Sequence, residues 1–260
     1  MPPPPSPDNP PAVGGHPTPG TRDLTGTVVA VTGATAGIGR ATARLLVRHG
    51  ARVTLLGRRQ TRLDALVEEL GADRVAAVCG DVADPQVNRE LVSVALERFG
   101  RLDSMVANAG IGAYGGIMDL SDDEVVTMTA TNFLGTVWSI RAAVPAMRQA
   151  GGGDVVVISS VAGLRGGATE AVYAATKFAQ VGLAGSLDRE VRAEGIRVTT
   201  LCPAAVSTEF ALGAGRQEGD AWLADVLTAE DVAAAVVATL QQPRRLRTQL
   251  WALRSMAEES

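Results

Sequence analysis

Lysine is nearly missing from this chain. Of 24 basic residues one is a lysine, Lys177, and the other 23 are arginines. Cysteine and histidine are nearly as scarce, with two of each. Cys79 and Cys202 both fall in apolar, strand-like stretches, which predicts two buried, inert thiols and no disulfide. His16 and His49 have no Cys or His neighbours in sequence, so no metal site is expected. Aromatic residues make up 3% of the chain, so the core must be built from Val, Leu, Ile and Ala. No apolar run reaches the ~18 residues of a membrane-crossing helix, and no charged-then-apolar signal segment opens the chain. The expectation is a cytoplasmic protein without a membrane partner. The arginines form no basic run and the net charge is −4, which argues against nucleic acid as the main partner.

What is present divides unevenly. Residues 1–22 hold nine of the thirteen prolines. Such a composition cannot bury a core and predicts a disordered or extended tail. It is read as a passive extension, with a docking peptide for a proline-binding partner as the alternative. The rest of the 260 residues, 46% hydrophobic overall, is long enough for one large domain. No internal repeat or second domain is visible.

From Thr27 short β-branched runs alternate with helical patterns. Strands are predicted at 28–32, 52–56, 75–79, 104–107, 155–158, 196–201 and 249–253. Helices are predicted to about His49 and over 61–70, 85–98, 122–149, 172–194 and 229–241. The helix over 122–149 opens at Ser121, a good N-cap, with acidic residues in its first turn. Pro145 should break or kink it near its end. Gly195 suits a C-cap. The strands are near-continuous apolar runs, as in a parallel sheet covered on both faces. The expected fold is therefore α/β, a single-domain, Rossmann-like doubly wound parallel sheet of about seven strands. The stretch 204–228 has no clear period, and a long irregular segment in a compact domain reads as a substrate lid.

Three local patterns carry chemistry. In the turn between the first strand and first helix, Gly33, Thr35, Ala36, Gly37, Ile38 and Gly39 form Gly-x-x-x-Gly-x-Gly. Glycines there let backbone approach a pyrophosphate at a helix N-terminus. The second strand ends in Gly57, Arg58 and Arg59, where an acid would bind the ribose 2′-hydroxyl of NAD. With no carboxylate and two guanidiniums that fork onto phosphate, NADP(H) is the expected cofactor. Arg40 could add to them. Finally, Tyr173 precedes Lys177 by four residues, which puts both on one helix face. The bland reading is a solvated lysine beside a half-buried tyrosine; the sharper one is a phenol whose acidity an ammonium tunes.

Together these patterns resemble the short-chain dehydrogenase/reductase family over about residues 24–255. The resemblance extends to Asp81-Val82, matching the pair that holds the adenine, and to Asn108-Ala109-Gly110, with Ala107 in place of a first Asn. It includes Asn132 in the long helix and Ser160, thirteen residues before Tyr173. Pro203 is followed by Ala204 where the family has Gly, which predicts a small backbone adjustment. Val206 and Thr208 fit cofactor contacts beyond it. The resemblance implies Asn132, Ser160, Tyr173 and Lys177 as catalytic residues and all the turn and loop residues above as cofactor contacts. It also implies hydride transfer between NADPH and a ketone or aldehyde, and a homodimer or homotetramer built through the helices near 122–149 and 172–194. The substrate pocket is expected among Tyr114, Ile117, Met118, Leu164, Phe210, Leu212 and Trp222, with Arg165 and Arg216 nearby. Isomerisation, epimerisation or elimination on the same fold, or a non-catalytic NADP-binding sensor, are the alternatives.

Overall fold

The computed structural model describes residues 21–215, 217 and 219–258. The expectations for His16 and Arg216, and most of the tail, lie outside them. Seven strands form one parallel sheet in the order β3-β2-β1-β4-β5-β6-β9. They are β1 (Val28–Thr32), β2 (Arg52–Gly57), β3 (Val75–Cys79), β4 (Ser104–Ala107), β5 (Gly153–Ile158), β6 (Ile196–Pro203) and β9 (Leu250–Leu253). Two short strands, β7 (Val206–Ser207) and β8 (Leu227–Thr228), pair with each other. The helices are α1 (Gly37–Arg48), α2 (Gln60–Leu70), α3 (Pro85–Phe99), α4 (Asp122–Thr129), α5 (Gly135–Gln149), α6 (Ala171–Val191) and α7 (Ala229–Leu240).

Strand side chains alternate between the two faces, and the burial follows. Val28 and Ala30 of β1, with Val155 and Val157 of β5, pack with Leu91, Ala143, Met147 and Leu187 from α3, α5 and α6. Val29, Val31, Val156 and Ile158 pack with Leu46, Leu63, Val236 and Leu240 from α1, α2 and α7. Apolar strands are therefore needed on both faces, which is the doubly wound arrangement.

Two expectations are corrected. The helix does not break at Pro145, which lies inside α5; a π-helical stretch at Ala130–Leu134 separates α4 from α5. Cys79 is exposed, not buried, while Cys202 is buried. Cys79 ends β3, the edge strand, where one flank has no neighbouring strand among the described residues. Ala204 is not among the described non-glycine residues with left-handed φ, which are Thr169 and Ala211. Arg22, at the end of the expected tail, is tied to the domain. Arg22 donates from its backbone to Gln241 at 2.7 Å and from its side chain to the Asp154 carboxylate at 2.8 Å.

That carboxylate anchors the amino-terminal edge of the sheet. Asp154 is buried at the start of β5 and also accepts from Arg197 Nε at 2.6 Å and Arg244 Nη1 at 3.1 Å. Three guanidiniums from distant segments thus converge on one desolvated acid.

Candidate active site

A cavity of about 740 Å³ runs along the carboxyl ends of β1 to β6, where doubly wound sheets place their ligands. The chain reverses its order of strands between β1 and β4, and the cavity crosses that point.

One wall is the glycine turn. Gly33 and Gly37 have φ of 68° and 48°, the left-handed region that a side chain disfavours. A Cβ at Gly33 would meet the Ala109 backbone at 2.8 Å, and one at Gly37 would meet Thr208 at 3.1 Å. Helix α1 then begins at Gly37, after the N-cap residue Ala36, with no side-chain cap and no acidic residue in its first turn. Ala36, Gly37 and Ile38 line the cavity, and the unpaired N–H groups of a helix start suit an anion. Thr35 lines the same wall. Gly39 does not line the cavity; it lies beneath the turn, where a Cβ would stand 2.4 Å from the Gly33 carbonyl oxygen.

The Thr32 hydroxyl ties this turn to the end of β4. It accepts from the backbone N–H groups of Asn108 and Ala109 at 3.1 and 3.0 Å. Asn108 Nδ2 returns a bond to the Thr32 carbonyl at 2.9 Å. Asn108, Ala109 and Gly110 thereby form the floor, with Asp81 and Val82 beside them after β3. Past β6, Pro203, Val206 and Thr208 close the opposite side.

Arg58 and Arg59 enter the cavity from the end of β2. Arg59 donates through Nε and Nη2 to the Thr35 hydroxyl at 3.2 and 3.0 Å. Arg58 approaches Asp81 at 3.9 Å. Arg40 is exposed and outside the cavity. The guanidinium that joins this group is Arg62, which shares the Glu209 carboxylate with Arg59. The signal for Arg62 was its place one helical turn beyond Arg59; nothing in the sequence announced Glu209.

At the other end stand Ser160, Tyr173 and Lys177, all buried and all lining the cavity. Ser160 caps a short 3-10 turn by accepting from Ala162 N–H at 3.1 Å. Tyr173 lies between two rings, with centroids 5.9 Å from Tyr114 and 5.7 Å from Phe210. The Lys177 ammonium lies 5.6 Å from the centre of the Tyr173 ring. It donates to the Ile158 carbonyl at 3.1 Å and to Gln180 Oε1 at 3.0 Å. Burial lowers its pKa from 10.5 to about 8, because desolvation disfavours the charged form. The solvated-lysine reading is thus excluded.

Asn132 is buried but outside the cavity lining. Its Oδ1 accepts from Ile111 N–H at 2.8 Å, and its Nδ2 donates to the Ile111 carbonyl and to Thr176 Oγ1 at 2.9 and 3.0 Å. Its own carbonyl accepts from Gln180 Nε2 at 2.8 Å. Its link to Lys177 therefore runs through Gln180, which the sequence reading passed over. The π-helical stretch brings Asn132 to this junction, as π-bulges often do at functional sites.

Of the expected substrate-pocket residues, Tyr114, Phe210, Leu212 and Arg165 line the cavity; Ile117, Met118, Leu164 and Trp222 do not. Met118 is 90% exposed. The 204–228 segment is pinned at its base by the β7–β8 pair and at its middle by Tyr114 N–H donating to the Ala214 carbonyl at 3.0 Å. Among the described residues no group of His, Cys, Asp or Glu could hold a metal ion, and no helix is long and apolar enough to cross a membrane.

The sequence and the structure each have relatives. A family model described as short chain dehydrogenase matches residues 27–219. An uncharacterised oxidoreductase of Staphylococcus aureus (strain MW2) is 34% identical over 220 residues, covering 85% of this chain and 93% of its own length. An alcohol dehydrogenase of the archaeon Thermococcus sibiricus, solved with 5-hydroxy-NADP, is similar at a TM-score of 0.82 and 30% identity, covering 90% of this chain and 98% of that one. A 3-ketoacyl-(acyl-carrier-protein) reductase of Brucella melitensis, solved with NADH, is similar at 0.81 and 26% identity over 89% and 98%.

Proposed function

The chain is an oxidoreductase of the short-chain dehydrogenase family, and from that premise we propose that it reduces the carbonyl of a small to medium, moderately apolar ketone or aldehyde with NADPH, and runs in reverse as an alcohol dehydrogenase. The observation that carries this reading is the meeting of Ser160, Tyr173 and Lys177 in one cavity continuous with the glycine turn and the β2 arginines.

A dinucleotide fits the residues present. The uncapped start of α1 supplies N–H groups for the pyrophosphate. Arg58 and Arg59 would take a 2′-phosphate, and no carboxylate of β2 itself opposes it. Asp81 and Val82 would border the adenine, while Asn108, Ala109, Gly110, Pro203, Val206 and Thr208 would hold the remainder. NADPH bound there supplies the hydride.

The carbonyl oxygen gains negative charge during reduction and needs a proton. Tyr173 gives it, acting as general acid, and takes it back as base in oxidation. An ordinary phenol, with a pKa of ~10, is a weak partner at neutral pH. The adjacent Lys177 ammonium favours the phenolate. With its own pKa about 8, Lys177 remains largely charged at pH 7. Its second role is to bind the nicotinamide ribose. Ser160 donates to the substrate oxygen and orients it. Asn132 holds the junction behind Lys177. Tyr114, Phe210 and Leu212 form the apolar wall that selects the substrate class, and the 204–228 segment is its lid.

The reading extends to a cytoplasmic homo-oligomer. Exposed Val126 on α4 and Phe178 on α6 are apolar surface that a second copy would cover.

The test is a binding titration with NADPH and NADH, followed by NADPH oxidation against a panel of ketones and aldehydes. Tighter NADPH binding with turnover is expected. A preference for NADH would overturn the reading of Arg58 and Arg59. Binding without turnover on any carbonyl would favour an isomerase or a sensor.

A further inference from the structure

Of the two guanidiniums expected to receive a 2′-phosphate, Arg59 already holds an anion of the protein's own, together with Arg62. Glu209 Oε2 lies 3.1 Å from Arg59 Nη1. Both Glu209 oxygens accept from Arg62 Nη1, at 2.9 and 2.8 Å. The opposite side of Arg59 is held by Thr35. The remaining guanidinium in this part of the cavity, Arg58, has Asp81 at 3.9 Å. Carboxylate and phosphate present similar oxygens to an arginine fork, so one site takes either.

Glu209 arrives from the roof of the cavity, not from β2. It directly follows Thr208, which packs on Gly37, and precedes Phe210, whose ring lies 5.7 Å from Tyr173. Arg62 and Arg59 also hold the Glu209 carboxyl below its ordinary range, so it is ionised throughout neutral pH.

We propose that Glu209 is a cofactor-specificity residue: an internal anion that competes with the 2′-phosphate of NADP(H) for Arg59 and Arg62 and leaves the binding of a nucleotide without that phosphate unopposed. The proposal rests on reading Arg59 as the 2′-phosphate site. Its consequence is a chain whose preference for NADP(H) is weaker than its arginines alone would give.

Calorimetric titration of the full-length protein with adenosine 2′,5′-bisphosphate and with AMP, which lacks the 2′-phosphate, tests it. Glu209→Gln keeps the side-chain volume and removes the charge. It should tighten the bisphosphate roughly three- to tenfold, the scale of two partly exposed ion pairs, and leave AMP within about twofold. Unchanged bisphosphate affinity, or equal tightening of both ligands, would overturn the proposal. Arg59→Ala separates the two levels of the argument. If it weakens the bisphosphate while Glu209→Gln has no effect, the cofactor reading stands and the proposal falls. If wild type binds both ligands equally and Arg59→Ala changes neither, both fall.

Discussion

Gln180 Oε1 accepts a hydrogen bond from the Lys177 ammonium at 3.0 Å, from three residues further along the same helix. The same amide donates to the Asn132 carbonyl and to Thr136 Oγ1, each at 2.8 Å. The one lysine of the chain is thus aimed by a side chain that is itself clamped from α5 and from the π-helical stretch before it.

Gln180 is therefore a positioning residue with a readable signature. Gln180→Leu removes an acceptor that favours the charged lysine, so the Lys177 pKa should fall. The basic limb of the kcat/KM profile for carbonyl reduction should move to lower pH, with kcat reduced about tenfold. Gln180→Glu should move that limb the other way. An unshifted profile in both variants would remove Gln180 from the mechanism.

Lys177 also makes stability depend on pH. Its folded pKa is about 8 against an ordinary 10.5. Between those values the unfolded chain binds more protons than the folded one, so stability rises with pH across that window. Below it the burial penalty is present in full, at about 3 kcal/mol. Lys177→Met cannot titrate. The stability of wild type relative to Lys177→Met, from urea unfolding at stepped pH, should increase from pH 8 to 10.5. A flat difference would mean the ammonium is not desolvated.

Asp154→Ala should destabilise the fold by roughly 3–5 kcal/mol, because it strands the buried Arg197 without its carboxylate. Asp154 lies at the amino-terminal edge of the sheet, away from the cavity. Thermal unfolding should show the loss, while NADPH affinity of the folded fraction stays near wild type. A cofactor-binding defect without a drop in Tm would contradict this division.

Gly39→Ala should cost about 1–3 kcal/mol by overpacking and weaken NADPH binding together with it. Its Cβ would fall 2.4 Å from the Gly33 oxygen and 2.6 Å from Asn108 Nδ2, so the turn must shift. Normal Tm and normal NADPH affinity in this variant would show that the turn has slack.

The sheet was readable from sequence because its signals are local. β3 and β4 have the predicted bounds, Val75–Cys79 and Ser104–Ala107, since apolar runs between turns leave little choice. Ser160, Tyr173 and Lys177, which the fold brings into one cavity, were singled out by spacing within a helix and by family resemblance. What escaped was long-range. The Ala130–Leu134 π-helical stretch follows no sequence period, and the Asn132 side chain there is held by Ile111, 21 residues away. Gln180 and Asn132 meet across 48 residues, and Arg62 and Glu209 across 147. The exposure of Cys79 depends on β3 being the edge strand, which an apolar run does not reveal. Ile117 and Met118 were expected in the pocket as part of the segment 111–118, but both are exposed.

The most direct test of the account is NADPH-dependent carbonyl reduction by Lys177→Arg, with folding and NADPH affinity measured on the same preparation. Arginine keeps the charge but replaces a compact ammonium with a planar fork, in a buried slot between the Ile158 carbonyl and Gln180. The expected result is a folded protein whose kcat falls by roughly 10²-fold or more. Near wild-type turnover in that variant would contradict the role assigned to the chain's single lysine.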